Sequence, residues 1–155
     1  MSATNFYDVA DKLKDILENN EHVNTVTYGN IDKVATEKTT IYPLSHFVVN
    51  STKIKHNTYT FNITLACMDI IDQTNEMQGD SFLGHSNEMD ILNTQLAVIT
   101  ETINKFRVNT LGRDGYQLVG DPETNQFVHR FEDDVAGWDV TFDVDVLQNI
   151  KTCGF

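Results

Sequence analysis

Three aspartates near the end of the chain, Asp139, Asp143 and Asp145, alternate with apolar residues. A period of two predicts a β-strand that places the three carboxylates on one face, about 6–7 Å apart for each two-residue step. Several carboxylates together suit Ca²⁺ or Mg²⁺, but ion sites usually draw their ligands from a loop that folds around the metal. Because a straight strand does not converge on an ion, we expect an acidic surface and no metal site.

These aspartates belong to a larger concentration of negative charge. The 155-residue chain has 23 acidic and 11 basic residues, a formal net charge of −12, and half of that excess lies after residue 120. Such a balance argues against a nucleic-acid clamp, because affinity for phosphate comes from Lys and Arg. It argues equally against attachment to anionic membranes. The candidate acidic surface consists of Glu132, Asp133, Asp134, Asp139, Asp143 and Asp145.

Each of the other candidate motifs lacks a residue, a spacing or an environment that its chemistry requires. The segment 79–86 imitates a phosphate-binding loop, but His85 stands where that loop needs lysine. The five histidines lack zinc-ligand spacing. Two carboxylates could serve a glycosidase, yet no aromatic subsites accompany them. Cys67 lies inside an apolar strand pattern, where a thiol is normally inert. We therefore expect no enzyme activity, no catalytic residue and no cofactor.

The first half of the chain predicts one helix and three strands. Apolar residues recur at helical spacing over about 4–19, and a short strand follows at 23–28. Tyr42-Pro43 opens a strand that continues to Val49, because the residue before proline favours extended backbone. Residues 58–67 alternate strictly between apolar and small polar side chains, which predicts a strand with one core face.

The second half predicts a long helix and a strand pair. Met89, Leu92, Leu96, Ile99, Ile103 and Phe106 follow a 3-4 spacing, which indicates a helix over about 86–107 with a narrow apolar seam. The final strands cover about 127–131 and 138–146, with 133–137 as their connection. The order predicts a single two-layer α+β domain over residues 1–155: an antiparallel sheet of about four to five strands with both helices packed on it.

Residues 31–41 differ from their surroundings in being polar, mixed in charge and poor in apolar side chains. That composition suits an exposed arm that extends to a neighbouring subunit and orders on assembly. The residues assigned to this candidate inter-subunit arm are Asp32, Lys33, Glu37, Lys38 and Thr39.

The segments 41–50, 59–72 and 137–144 together resemble small tail-completion, or neck ring, proteins of tailed bacteriophages, especially those of Bacteroidota phages and the crAss-like group. The resemblance spans nearly the whole chain as an order of elements. It implies a structural virion protein, made in the host cytoplasm, that forms a six- or twelve-fold homo-oligomeric ring. Such a ring contacts neighbouring portal, neck or tail proteins and connects the portal vertex to the tail as a tail terminator or head–tail connector.

The resemblance also implies that genomic DNA passes through the ring without specific binding, and that no membrane is involved. A carboxylate-lined wall repels phosphate, so we expect the acidic surface to look into the lumen or at a basic neighbour. The alternative is a small non-enzymatic protein-binding module, monomeric or dimeric, whose acidic face meets a basic partner.

Overall fold

The computed structural model describes residues 5–30, 41–71, 87–108, 116–128 and 134–148. The described elements are α1 (Asn5–Glu18), β1 (Thr25–Tyr28), β2 (Leu44–Ile54), β3 (Thr58–Ile70), α2 (Glu88–Val108), β4 (Tyr116–Val119), β5 (Thr124–Val128) and β6 (Val135–Leu147). This is the α+β class that the sequence predicts.

The described strands form one six-stranded sheet with the order β1-β2-β3-β6-β4, and β5 also pairs with β6. All pairs are antiparallel except β1 with β2, which is parallel. The sheet therefore has one or two more strands than the sequence predicts. The additional strand, β4, has only four residues, too few to show a clear alternation.

Strands β4 and β5 follow one another along the same edge of β6. Val119 lies opposite Asp143, and Thr124 lies opposite Val140. Four residues, 120–123, therefore face only two residues of β6, so the edge bulges between the two strands. Gly120 allows the chain to turn there, because its φ of 69° lies in the left-handed region that favours glycine.

Both helices pack on one face of the sheet, here called the inner face, and the opposite surface is the outer face. From β3, Phe61, Ile63 and Leu65 point inward; from β6, Val140, Phe142, Val144 and Val146 do so. Leu13 and Leu17 of α1 and Phe106 of α2 are fully buried against them. The strict alternation in both strands is thus explained by a single covered face.

The predicted seam of α2 is confirmed in the second half of the helix, where Ile99, Ile103 and Phe106 are buried, but not in the first half. Met89 is 43% exposed, and Leu92 and Leu96 lie at the margin of the core. The residues buried against the sheet in this half of the helix are instead Ile91, Gln95 and Val98. Hydropathy missed this because Gln95 and, two turns further on, Thr102 are polar; the Thr102 hydroxyl donates to the Val98 carbonyl at 2.9 Å.

The start of β6 also differs from the prediction. Residues 135–137, expected in a connection, are the first residues of the strand, and residues 129–133 lie outside the described residues. Gly137 permits a close approach of β6 to β3: an added Cβ would collide with the Cys67 carbonyl oxygen and lie 2.8 Å from the Met68 Cα. The predicted strands at 23–28 and 42–49 become Thr25–Tyr28 and Leu44–Ile54.

At one end the outer face carries a small apolar cluster of its own. Leu44, Met68 and Val135 are fully buried there, and Tyr42 packs with them. The polar part of the outer face begins beyond Ala66. No helix of the described residues is long and apolar enough to cross a membrane.

Candidate functional site: the polar outer face

The sheet register places all three strand aspartates on the outer face. Asp139 lies opposite Ala66, Asp143 opposite Asn62 and Asp145 opposite Thr60. The sequence predicted that they share a face, and the register confirms it. All three are half-buried, because the neighbouring strands stand on both sides of β6.

Asp143 is held by an amide network that crosses three strands. The Asn62 side-chain amide donates to the Asp143 carboxylate at 2.9 Å. The Asn50 amide in turn donates to the Asn62 Oδ1 at 2.9 Å and to the Thr64 hydroxyl at 2.7 Å. Asn50 follows the inward-facing Val49, so strand alternation places its side chain on the outer face, and the β2–β3 register shifts there, between Val49 and Ser51.

Asp145 has a neutral and a charged partner. The Thr60 hydroxyl donates to its Oδ1, and the Lys55 ammonium lies 3.5 Å from the same oxygen. The Lys55 side chain is 45% exposed, so this ion pair is weak and solvent-screened. Lys53 also stands on this face, opposite Thr60 in the register.

For Asp134 and Asp139, the contacts described are those of the backbone carbonyls. Asp134 is exposed just before β6, and its backbone carbonyl accepts a hydrogen bond from the Ile71 amide at 2.7 Å. The Asp139 carbonyl accepts a hydrogen bond from the Thr124 hydroxyl at 2.8 Å. Glu132 and Asp133 lie outside the described residues, and so do the arm residues Asp32, Lys33, Glu37, Lys38 and Thr39.

This arrangement is better suited to presenting negative charge on a surface than to catalysis. Asn62 and Thr60 are neutral donors, so they fix the two carboxylates in position without cancelling their charge. Within the described part of the chain, no group of three or more His, Cys, Asp or Glu residues could hold a metal ion. The carboxylates lie along a straight strand and do not converge on a common point.

The buried cysteine and histidine are structural. Cys67 is fully buried, and burial raises the pKa of its thiol to about 12, so it is a poor nucleophile. His46 bridges β2 and the end of β1: its Nε2 donates to the Gly29 carbonyl at 2.7 Å, and its Nδ1 accepts from the Thr27 hydroxyl at 2.7 Å. Burial lowers the pKa of His46, which keeps the ring neutral at pH 7.

A second polar feature, a cleft of about 480 Å³, was not predicted from the sequence. It lies at the sheet end where β2 begins and β3 ends, between the first turns of α2 and the α1–β1 connection. Asp69 and Gln95 line it on the protein side, and Glu21 and Asp90 are exposed at its mouth. These residues come from three distant stretches of chain, so no local motif signals the cleft.

Comparisons with known proteins give this chain no family. No protein-family model and no curated protein matches this chain.

Proposed function

We propose that this protein is a non-enzymatic structural protein of a phage neck or tail, which assembles as a ring and presents its polar outer face to the channel or to a basic neighbour. The carrying observation is that the half-buried aspartates of β6 share the outer face, and that neutral side chains donate to two of them, Asn62 to Asp143 and Thr60 to Asp145. A channel wall must keep its negative charge in order to repel phosphate, and donors such as Asn62 allow that.

An exposed aromatic patch supports self-association. Phe6, Tyr7 and Tyr28 are 43%, 69% and 47% exposed. The ring centroids of Phe6 lie 6.1 Å from Tyr7 and 6.2 Å from Tyr28. Tyr28 ends β1, which forms one edge of the described sheet, and clustered exposed aromatic rings are typical of protein–protein contacts.

Ring formation is tested by mass measurement in solution and negative-stain imaging of the purified chain, alone and with portal or tail-tube proteins. We expect six- or twelve-fold rings. Tyr7→Ser should weaken them, because it removes the most exposed ring of the aromatic patch. The matched control is Met89→Ser at the start of α2, an exposed apolar side chain (43%) that is not part of the aromatic patch. If both variants lose rings equally, the aromatic patch has no specific role in self-association.

The direction of the outer face is tested by site-specific gold labelling. Thr141 is exposed between the aspartates and contacts the Thr64 hydroxyl at 3.0 Å, so Thr141→Cys is a mild change. In a Cys153→Ser background, with Cys67 buried, the new thiol is the reactive one. Density at the ring centre supports a channel lining, and density at the rim overturns it. If the thiol reacts in isolated subunits but not in assembled rings, the outer face is a contact with a neighbour. Asp15→Cys on α1 is the control position.

One observation favours the alternative, a monomeric or dimeric binding module for a basic partner. Asp145 already accepts a lysine ammonium, that of Lys55, at 3.5 Å. A chain that stays monomeric with every phage component, yet binds a basic protein in a salt-dependent manner, would replace the ring proposal with this one.

A further inference from the structure

The cleft between α2 and the α1–β1 connection contains an unsatisfied hydrogen-bond acceptor. Gln95 is 1% exposed, and its Oε1 has no hydrogen-bond partner in the described part of the chain. A buried polar atom without a partner destabilises the folded state, because it has lost its hydrogen bonds to water without replacing them. Natural proteins rarely retain such an atom unless something satisfies it. Gln95 is one of the residues that line the cleft, so a donor bound there could supply the missing partner.

The charge of the cleft indicates what kind of donor is missing. Asp69, Asp90 and Glu21 contribute three carboxylates to the lining, and no Lys or Arg is found among its described residues. His22 also lines the cleft, and its Nε2 lies 3.4 Å from the Glu21 carboxylate. Burial raises the pKa of Asp69, the innermost of the three acids, as expected for a carboxylate without a cation beside it.

The start of α2 would by itself favour an anionic ligand in the cleft, because helix N-termini carry a partial positive charge. Glu88 and Asp90 in the first turn already complement that end of the helix. An anionic ligand would have to approach the carboxylates of Asp69, Asp90 and Glu21, with no Lys or Arg among the described lining residues to receive it. The balance of charge therefore favours a cation.

The size of the cleft and its apolar walls decide between an inorganic and an organic cation. About 480 Å³ is within the range of small-molecule sites and far larger than one coordinated ion requires. No metal-ligating cluster exists among the described residues. Val23, Pro43 and Ile91 supply apolar wall beside the acids, which suits an alkyl stem that carries a charged donor at its tip.

We propose that this cleft binds an organic cation, an alkylammonium or guanidinium group, whose N–H donors reach Gln95 Oε1 while Asp69 supplies the counter-charge. The group has two chemical sources, a Lys or Arg side chain of a partner protein and a free polyamine. The site lies apart from the polar outer face and does not depend on ring formation.

The proposal is tested by NMR titration of the full chain with blocked arginine (Nα-acetyl-arginine amide), its neutral isostere Nα-acetyl-citrulline amide, 1,4-butanediamine and inorganic phosphate. We expect saturable shifts of the Gln95 side-chain amide and of backbone amides near Asn24 and Thr94 with both cations, and none with citrulline or phosphate. Stronger binding of blocked arginine assigns the site to a partner side chain; stronger binding of the diamine assigns it to a free polyamine. Saturation by phosphate, or the absence of saturation with both cations up to about 10 mM, overturns the proposal.

Two variants separate binding from folding. Asp69→Asn should weaken cation binding at least tenfold, whereas Asp15→Asn, the same change at an exposed position on α1, should not. Gln95→Met keeps the volume and removes the orphan acceptor, so it should raise the melting temperature by about 2–4 °C while weakening binding. A merely structural Gln95 predicts the reverse, a lower melting temperature with binding unchanged, and that result would overturn the role of Gln95.

Discussion

The Asn62 side-chain amide donates to the Asp143 carboxylate at 2.9 Å across the central strand pair of the sheet. These residues are 81 positions apart, and the β3–β6 register brings them directly opposite. The contact joins the strongest strand pattern in the chain to its acidic strand, and it explains how a carboxylate remains half-buried without a basic partner among the described residues.

Removing this donor should destabilise the protein. Asn62→Ala leaves the Asp143 carboxylate and the Asn50 amide short of a partner, so we expect the free energy of unfolding to fall by about 1 kcal/mol. Urea denaturation followed by circular dichroism measures it. The control is Asn125→Ala on the same face, at an exposed position of β5, which should change stability by less than about 0.5 kcal/mol. Equal effects would mean that the network adds nothing to stability.

Gly137→Ala should be among the most damaging single-methyl additions to this protein. The new Cβ would collide with the Cys67 carbonyl and press on the Met68 Cα, and backbone atoms of a central strand cannot move aside cheaply. We expect a loss of about 3 kcal/mol or more in thermal or urea unfolding. Gly120→Ala meets no atom within 4 Å but has a positive φ, so it should cost only about 1–2 kcal/mol. A tolerated Gly137→Ala would contradict the close approach of β6 to β3.

His46 should make stability depend on pH. Burial lowers its pKa below the ordinary 6.5, although the hydrogen bond to the Gly29 carbonyl acts in the other direction. As the pH falls below about 6.5, the unfolded chain takes up the proton first, so the free energy of unfolding decreases until the lowered folded-state pKa is passed. Above about pH 6.5 the contribution of His46 to the free energy of unfolding is fully present. Urea midpoints measured from pH 8 to pH 5 should therefore fall less steeply for His46→Gln than for the wild type. His56→Gln, at an exposed turn, should leave the slope unchanged; a shared slope in all three proteins would refute the assignment.

The proposed arm can be tested without shortening the chain. Replacing residues 31–40 by a Gly-Ser linker of equal length removes Asp32, Lys33, Glu37, Lys38 and Thr39 while keeping the connection to β2. We expect rings to be lost and the melting temperature to be preserved, because assembly would need the arm but folding would not. Native mass spectrometry and thermal unfolding together measure both. Intact rings would show that the arm has no role in assembly.

Local patterns were sufficient for the types of the longer elements but not for the four-residue strand β4. The period-two runs of β3 and β6 and the helical spacing of α1 predicted those elements to within a few residues at most ends. They also predicted that Asp139, Asp143 and Asp145 share a face. These features follow from the geometry of a single element, because side chains alternate along a strand and recur about every 3.6 residues along a helix.

Tertiary packing decided the rest. The packing of the first half of α2 places Gln95 in the core in place of Leu96, and hydropathy has no means of detecting a buried amide. The partner of Asp143 is set by strand register, and the cleft is assembled from the α1–β1 connection, the end of β3 and the start of α2. The chain by itself therefore determined which side chains lie together on one strand. Only the fold decided which distant side chains meet them, because that depends on long-range pairing, for which a single sequence carries no local signal.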